Sequence, residues 1–372
     1  MFMQGFRAYY AAFIAALIHG VHSGYIDAPH VPLAKLQTTV QDPWQWWYFD
    51  LLSNEGTALQ IVYFSGYGFG PLSPVPFYIQ VSATLPNGTS LVTLGLASGY
   101  GSVSQSVGDY SNGAWPGLGG WNSTASQYTV RFEDGLGYVS GNLTLDMTTP
   151  PHYPCDEPND PSFSTTVAPN LVGPWLGWSN AVPGATGDAH LTVGKQTYTF
   201  SGNGYHDSNF GMKQLSENTN QWYWGRGAVG PYTFVYFAYL PKGSSVPASD
   251  PNTWYTSGFL SKDGTKIVNF CSVEQNGAEH TQQHITLETR GKIWTELPLL
   301  VGTPDDSEVG VVVTYTINGE DYVFNMSSMA VSLAGGPILP YARWTSSIQG
   351  GKVGEDPATG YGNFEILNYG DD

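Results

Sequence analysis

Apolar and polar residues alternate with a period of two along most of the chain, and turn pairs interrupt the alternation at short intervals. ALQIVYFSG (58–66) and FYIQVSATL (77–85) read as strands, the second meeting LVTLGL (91–96) across Pro86-Asn87-Gly88. QYTVRFEDG and YVSGNLTLDM pair around Asp134-Gly135, and AHLTVG and QTYTFSG flank a tight turn at Gly194-Lys195. GFLSKDGTKIVNF and VVVTYTINGEDYVFNM carry the two-residue hairpin signals Asp263-Gly264 and Asn318-Gly319. YTFVYFAYL (232–240) is nearly all apolar, which suits a buried strand. Beyond the first two dozen residues no stretch sustains the 3.6-residue period of a helix, so the expected class is all-β and antiparallel.

Residues 148–190 break the pattern. They are rich in Pro, Gly, Asn and Asp, show no alternation, and are too long for a routine loop. They read as a connector between two β units or as a functional flap. The expected division is 1–23, 24–185 and 186–372, the last two being β-barrel domains of similar size.

The first segment has the shape of a secretory signal. Arg7 supplies the positive end, YYAAFIAALI (9–18) is a short apolar run, and Val21-His22-Ser23 precedes Gly24 in a small-x-small pattern. That run is too short for a spanning helix, and no other segment of the chain approaches one. Four N-x-S/T sequons, at Asn87, Asn122, Asn142 and Asn325, agree with a secreted glycoprotein. The two cysteines, Cys155 and Cys271, are either a disulfide or two separate buried thiols, and neither has zinc-ligand spacing.

Composition narrows the function. Only 12% of residues are charged, and 13 Lys and Arg stand against 30 Asp and Glu for a net charge of −17, which argues against nucleic acid and anionic membrane surfaces. Aromatics reach 14%, as an enclosed apolar ligand site would require, and as ordinary core packing would too. The expected partners are hydrophobic small molecules; the oligomeric state is left open.

Three constellations could carry chemistry. WQWWYFD (44–50) holds five aromatics in seven residues, and alternation puts Trp44, Trp46 and Tyr48 on one face and Gln45, Trp47 and Phe49 on the other. Such a strand lies between a core and a second packed layer, either as a domain-interface anchor or in contact with ligand. GYHDSNFG (204–211) sets His206 beside Asp207 and near Asn209. It is a structural turn, an acid/base pair, or, less favoured, a metal site. On an extended strand the two side chains would point to opposite faces, so a working pair needs a turn, which the glycines permit. QWYWGRG (221–227) places Arg226 after three aromatics, where it can orient a substrate oxygen or pair with Asp207 or another acid; Arg343 and Trp344 in YARWTS form a similar pair. No GxSxG, P-loop, GxGxxG or HExxH element occurs.

WQWWYFD, the Gly-Tyr-His-Asp-x-Asn-aromatic-Gly stretch, WxWGR and the terminal GYGNFEILNYG together resemble the hydroxyneurosporene synthase and AttH-like superfamily, and within it the fungal Diels–Alderases. The resemblance implies two tandem lipocalin-like antiparallel β-barrels with a hydrophobic pocket near their junction. Carotenoid-hydrating members resemble Gly-Tyr-His-Asp-His-Asn-Trp-Gly at this stretch. Here Ser208 and Phe210 replace the second His and the Trp, which argues against hydration of an isolated alkene. The signal and sequons make the chain most similar to the branch acting on tropolone sesquiterpenoids.

The resemblance therefore implies a pericyclase without metal or cofactor. Its reaction would be a hetero-Diels–Alder addition of a tropolone-derived o-quinone methide to a humulene-type sesquiterpene, with the same protein also able to generate the quinone methide by dehydration. His206, Asp207, Arg226 and Arg343 are the expected catalytic residues, and Trp47, Tyr48, Tyr205, Asn209, Trp222 and Trp344 the expected substrate contacts. The alternatives are an intramolecular Diels–Alderase acting on one polyketide chain and a secreted lipocalin-like carrier without turnover.

Overall fold

The computed structural model describes residues 44–69, 75–106, 110–135, 137–152, 154, 171–245, 252–274, 283–291, 309–334 and 340–370. The expected signal segment 1–23 and Cys155 lie outside the described residues; Cys271 is disulfide-bonded.

Among the described residues, twenty-one strands fall into two antiparallel sheets. The first is built from β1 (Trp44–Leu52), β2 (Ala58–Ser65), β3 (Phe77–Thr84), β4 (Ser90–Leu96), β5 (Ser102–Ser106), β6 (Tyr110–Trp115), β7 (Gly119–Ser123), β8 (Gln127–Glu133), β9 (Val139–Met147), β10 (Leu171–Gly173), β11 (Leu176–Val193) and β12 (Gln196–Gly211). Their order is β4-β3-β2-β1-β12-β11-β9-β8-β7-β6-β5, with β10 pairing off β11. After one helical turn, Leu215–Asn218, the second sheet uses β13 (Thr219–Val229), β14 (Tyr232–Pro241), β15 (Trp254–Lys262), β16 (Thr265–Glu274), β17 (Gln283–Arg290), β18 (Gly310–Ile317), β19 (Glu320–Ala334), β20 (Tyr341–Lys352) and β21 (Ala358–Asn368). They run in the order β16-β15-β14-β13-β21-β20-β19-β18-β17.

Hairpin chemistry explains much of this order. Asp263-Gly264 and Asn318-Gly319 have φ of 51° and 74°, and 53° and 84°, the left-handed pair that a two-residue turn needs to match strand twist. Each sheet curls around its own apolar interior in the lipocalin manner. In the first, Trp47, Phe49 and Tyr63 meet Trp115, Trp121 and Tyr128 from the opposite wall. In the second, Tyr232 and Phe234 meet Tyr322 and Phe324. A third apolar layer lies between the barrels, where β1, β2, β11 and β12 pack against β13, β14, β15, β20 and β21. β1 thus separates two buried aromatic faces, as its sequence requires.

Three expectations are corrected. The break placed between 185 and 186 falls inside β11, and the first sheet runs on to Gly211. The end of the irregular stretch 148–190 is strand from Leu176 onward: β11 is held on both sides by β9 and β12, and register shifts between Ser179, Val182 and Ala185 absorb Pro183, which has no N–H to donate. GYHDSNFG is not a turn but the end of β12, paired with β1 from Trp44↔Gly211 to Leu52↔Asn203. Its glycines serve close packing: a Cβ on Gly204 would lie 2.2 Å from the Leu145 side chain, and one on Gly211 2.8 Å from the Trp44 indole.

Candidate functional site between the sheets

Alternation along β12 and β1 decides which side chains enter the inter-barrel layer. In register, Trp46 faces Asn209, Tyr48 faces Asp207 and Asp50 faces Tyr205, all directed at the second sheet. From that sheet β13 presents Trp222, Trp224 and Arg226, again two residues apart. The strands meet rung by rung. Trp222 packs edge-on to Trp46 (6.4 Å between centroids), Trp224 packs edge-on to Tyr48 (5.7 Å) and Tyr205 (5.3 Å), and Arg226 reaches Asp50. Trp46 Nε1 donates to Asn209 Oδ1 at 2.7 Å.

The Arg226 rung is a buried bolt. Arg226 Nε donates to Asp50 Oδ2 at 3.2 Å, its Nη2 to Asp50 Oδ1, and its Nη1 to Asn203 Oδ1. Asp50 Oδ2 also accepts from the Tyr48 hydroxyl (2.7 Å) and Asn363 Nδ2 (2.7 Å), so both carboxylate oxygens are hydrogen-bonded. Both partners are almost wholly buried, at 2% and 0% side-chain exposure, where an ion pair holds only when its other hydrogen bonds are made. A cleft of about 120 Å³ lies beside this bolt, with Thr148, Asn203, Arg226 and Thr233 among its walls.

A second pair sits alongside. Arg343 Nε donates to Glu365 Oε2 at 2.9 Å, Glu365 also accepts from the Tyr341 hydroxyl, and the Arg343 guanidinium lies 4.5 Å from the centre of the Tyr48 ring. Burial works against the charge of Arg343, but the Tyr341, Tyr48 and Glu365 oxygens around it raise its pKa, so it stays cationic. Its Nη1 has no hydrogen-bond partner.

Asp207 is different. Two arginines serve Asp50 and Glu365, and among the described residues no cation pairs with Asp207. Burial pushes its carboxyl up to about 7, against the lowering effect of hydrogen bonds from Tyr205 and Trp178 and with the negative charges of Glu365 and Asp50 adding to the rise. Both hydrogen bonds, from Tyr205 Oη (2.7 Å) and Trp178 Nε1 (2.8 Å), end on Oδ2. Oδ1 is buried without a partner. The proton of the neutral acid therefore belongs on Oδ1, the oxygen able to donate to a ligand.

The expected site residues divide by layer. Tyr48, Tyr205, Asp207, Asn209, Trp222, Arg226 and Arg343 come together between the sheets. Three do not join them. His206 points into the first barrel, stacked on Phe49 at 3.9 Å with Nδ1 2.8 Å from the Tyr48 carbonyl oxygen. Trp47 packs there on Trp115 and Trp121. Trp344 lies inside the second barrel against Phe364, 5.1 Å away. His206 and Asp207 form no acid/base couple, because consecutive strand residues face opposite ways.

The structure adds Asp50, Trp178, Trp224, Tyr341, Asn363 and Glu365. Asp50, Trp224, Tyr341, Asn363 and Glu365 lay within the quoted motifs and could have been found by extending the period-2 count; Trp178, inside the irregular stretch, gave no signal. Among the described residues no group of three or more His, Cys, Asp or Glu stands close enough to hold a metal ion. The sequons are on the surface: Asn87, Asn122 and Asn325 are exposed and Asn142 is half-buried.

The model of the Diels-Alderase-like family matches residues 16–369. The chain belongs to the Diels-Alderase-like family. It is 33% identical over 258 residues to the quinolone epoxide rearrangement protein penF of Penicillium thymicola, covering 65% of this chain and 64% of penF. To the quinolone epoxide rearrangement protein asqO of Emericella nidulans it is 30% identical over 256 residues, covering 66% of this chain and 64% of asqO. The Diels-Alderase mycB of Thermothelomyces thermophilus is 26% identical over 278 residues, 68% of this chain and 58% of mycB. The chain thus matches less than two thirds of the length of these relatives. Its fold is that of the CghA crystal structure (TM-score 0.65, 18% identity, 89% of each chain). A putative AttH from Nitrosomonas europaea also shares it (TM-score 0.51, 12% identity, 92% of this chain and 99% of that one). In this Diels-Alderase-like chain the inter-barrel layer is where an acid, unpaired donors and aromatic walls coincide.

Proposed function

We propose that this chain is a pericyclase that holds apolar, oxygen-bearing substrates between its two barrels and assists ring formation with Asp207 as a proton donor. The observation that carries the reading is the Asp207 carboxyl: pushed up to about 7 by burial, it has one oxygen held by Tyr205 and Trp178 and the other unpartnered. Holding two apolar partners in a reactive pose can supply up to about 7–11 kcal/mol of the barrier without a nucleophile. A fixed cation such as Arg343 beside a developing oxygen charge supplies more.

The specific reaction proposed is a hetero-Diels–Alder addition of a tropolone-derived o-quinone methide to a humulene-type sesquiterpene. Asp207 gives its proton to the hydroxyl of a hydroxymethyl tropolone, the hydroxyl leaves as water, and the carboxylate takes the proton of the ring hydroxyl. Arg343 Nη1 meets the ring carbonyl oxygen. The addition itself then moves no proton. The sequons and the signal-like segment support placing this chemistry in the secretory pathway.

A second reading is favoured by the identities to penF and asqO. An acid that protonates a hydroxyl can also protonate an epoxide oxygen, so the same Asp207 would open and rearrange an epoxide on an apolar ring system. Incubating the pure protein with the hydroxymethyl tropolone and the terpene, and separately with an aryl epoxide, decides between them. Stereoselective adduct supports the first reading and rearranged epoxide the second. Cyclisation of a single polyketide chain points to an intramolecular Diels–Alderase, and binding without turnover of any of these makes the protein a carrier and overturns both readings.

A further inference from the structure

Two indole N–H groups of the inter-barrel layer close no hydrogen bond within the fold. Trp222 and Trp224 are 2% and 3% exposed, yet Nε1 of each is buried without a hydrogen-bond partner. Trp224 Nε1 is near enough to the Tyr205 hydroxyl oxygen to act on it as a weak donor, but no hydrogen bond of normal length closes. An orphaned buried donor costs about 1–3 kcal/mol, which native cores avoid unless the group is wanted for something else. Four other buried indoles are satisfied: Trp46 donates to Asn209, Trp115 to the Phe64 carbonyl, Trp121 to Ser111 and Trp178 to Asp207; Trp344 Nε1 is unpartnered too, but it lies inside the second barrel, away from this layer. The two orphans are neighbours on one face of β13, opposite the strand that carries Asp207.

We propose that Trp222 and Trp224 position the substrate by donating their indole N–H groups to two of its oxygen atoms, opposite the Asp207 acid, and so select apolar ring systems bearing two separated acceptor oxygens. The assignment rests on the reading of this layer as the substrate site. Residues two apart on a strand are spaced by about 6.5 Å. That spacing matches two oxygen functions on different ring carbons and mismatches a single carboxylate, whose oxygens share one carbon. Arg343 Nη1, also unpartnered, then remains for the charge that develops during reaction. An apolar molecule lacking oxygens finds aromatic walls here but leaves the donors unpaired, and a hydrocarbon is discriminated against for that reason.

The test uses the whole chain with 15N-labelled indoles, the Trp222 and Trp224 signals being assigned from Trp222→Phe and Trp224→Phe. The probes are 1,3-dihydroxynaphthalene, 1-naphthol and naphthalene. At saturation the dihydroxy compound moves both indole proton signals downfield, while naphthalene leaves them in place. Movement of neither, of one alone, or equal movement with naphthalene overturns the assignment. In turnover with the protein's own substrate, each Phe variant raises KM about tenfold or more, Phe keeping the ring packing while removing the N–H. If both signals move but no substrate is turned over, the donor assignment stands and the pericyclase reading falls. If turnover proceeds with KM unchanged in both variants, the reverse holds.

Discussion

His206 and Asp207 are consecutive residues whose side chains lie in different layers of the protein. His206 stacks on Phe49 within the first barrel, and Asp207 accepts hydrogen bonds from Tyr205 and Trp178 between the barrels. Substitutions at the two sites therefore separate chemistry from packing. Asp207→Asn keeps an oxygen for Tyr205 and Trp178 but loses the acid, and turnover is expected to fall at least 100-fold with little change in Tm. His206→Phe keeps the stack, loses the bond to the Tyr48 carbonyl, and costs about 1 kcal/mol of stability with turnover within a fewfold of the parent. Steady-state rates and thermal melts of both variants check this. A rate collapse in His206→Phe with Asp207→Asn active would reverse the assignment.

The Asp207 carboxyl has a folded-state pKa raised from the ordinary carboxylate range to about 7. A raised pKa favours the folded state below the unfolded pKa, and that contribution is lost as pH climbs through the folded value. The cost of ionising the buried acid accordingly builds between about pH 4 and pH 7 and reaches at most about 4 kcal/mol. Activity that needs the neutral acid falls as pH rises through about 7. Chemical denaturation at pH 5 and pH 8 should show a larger loss for the parent than for Asp207→Asn, whose curve is flat in this respect; parallel curves would sink the claim.

Arg226 holds Asp50 across the two sheets, so its removal strands a charge. Arg226→Met should destabilise by about 3–5 kcal/mol, and adding Asp50→Asn should recover much of the loss. Urea midpoints of the single and double variants measure the recovery. Equal midpoints would mean that the bolt contributes through packing and not through charge.

Trp47 lies in the interior of the first barrel with Trp115 and Trp121, away from the inter-barrel layer. Trp47→Ala is expected to cost about 3–5 kcal/mol through the cavity it leaves. Below the melting transition its KM should match the parent. A changed KM at full folding would return Trp47 to the substrate site.

The β class, the hairpins at Asp263-Gly264 and Asn318-Gly319, and the two-faced character of WQWWYFD were legible because each depends on neighbours within a few residues. Period-2 alternation and left-handed turn pairs are local properties of the backbone. The first part of β11, from Leu176 to Asp188, was hidden because its pairing with β9 and β12, not its own Pro- and Gly-containing sequence, holds it extended; only its end, AHLTV, was legible as a hairpin arm.

What the sequence determined by itself was the set of polar groups this protein owns: few cations, many indoles, and the stretches that bear His206, Asp207, Arg226 and Arg343. Only the tertiary structure decided which of them meet. Pairing β12 with β1 turned GYHDSNFG from a possible turn into strand, sending His206 into one barrel and Asp207 into the layer between two. Packing then gave Asp50 and Glu365 an arginine each and left Asp207 without one. A carboxyl becomes an acid near neutral pH through burial and the absence of a cation, and both depend on residues far apart in the chain.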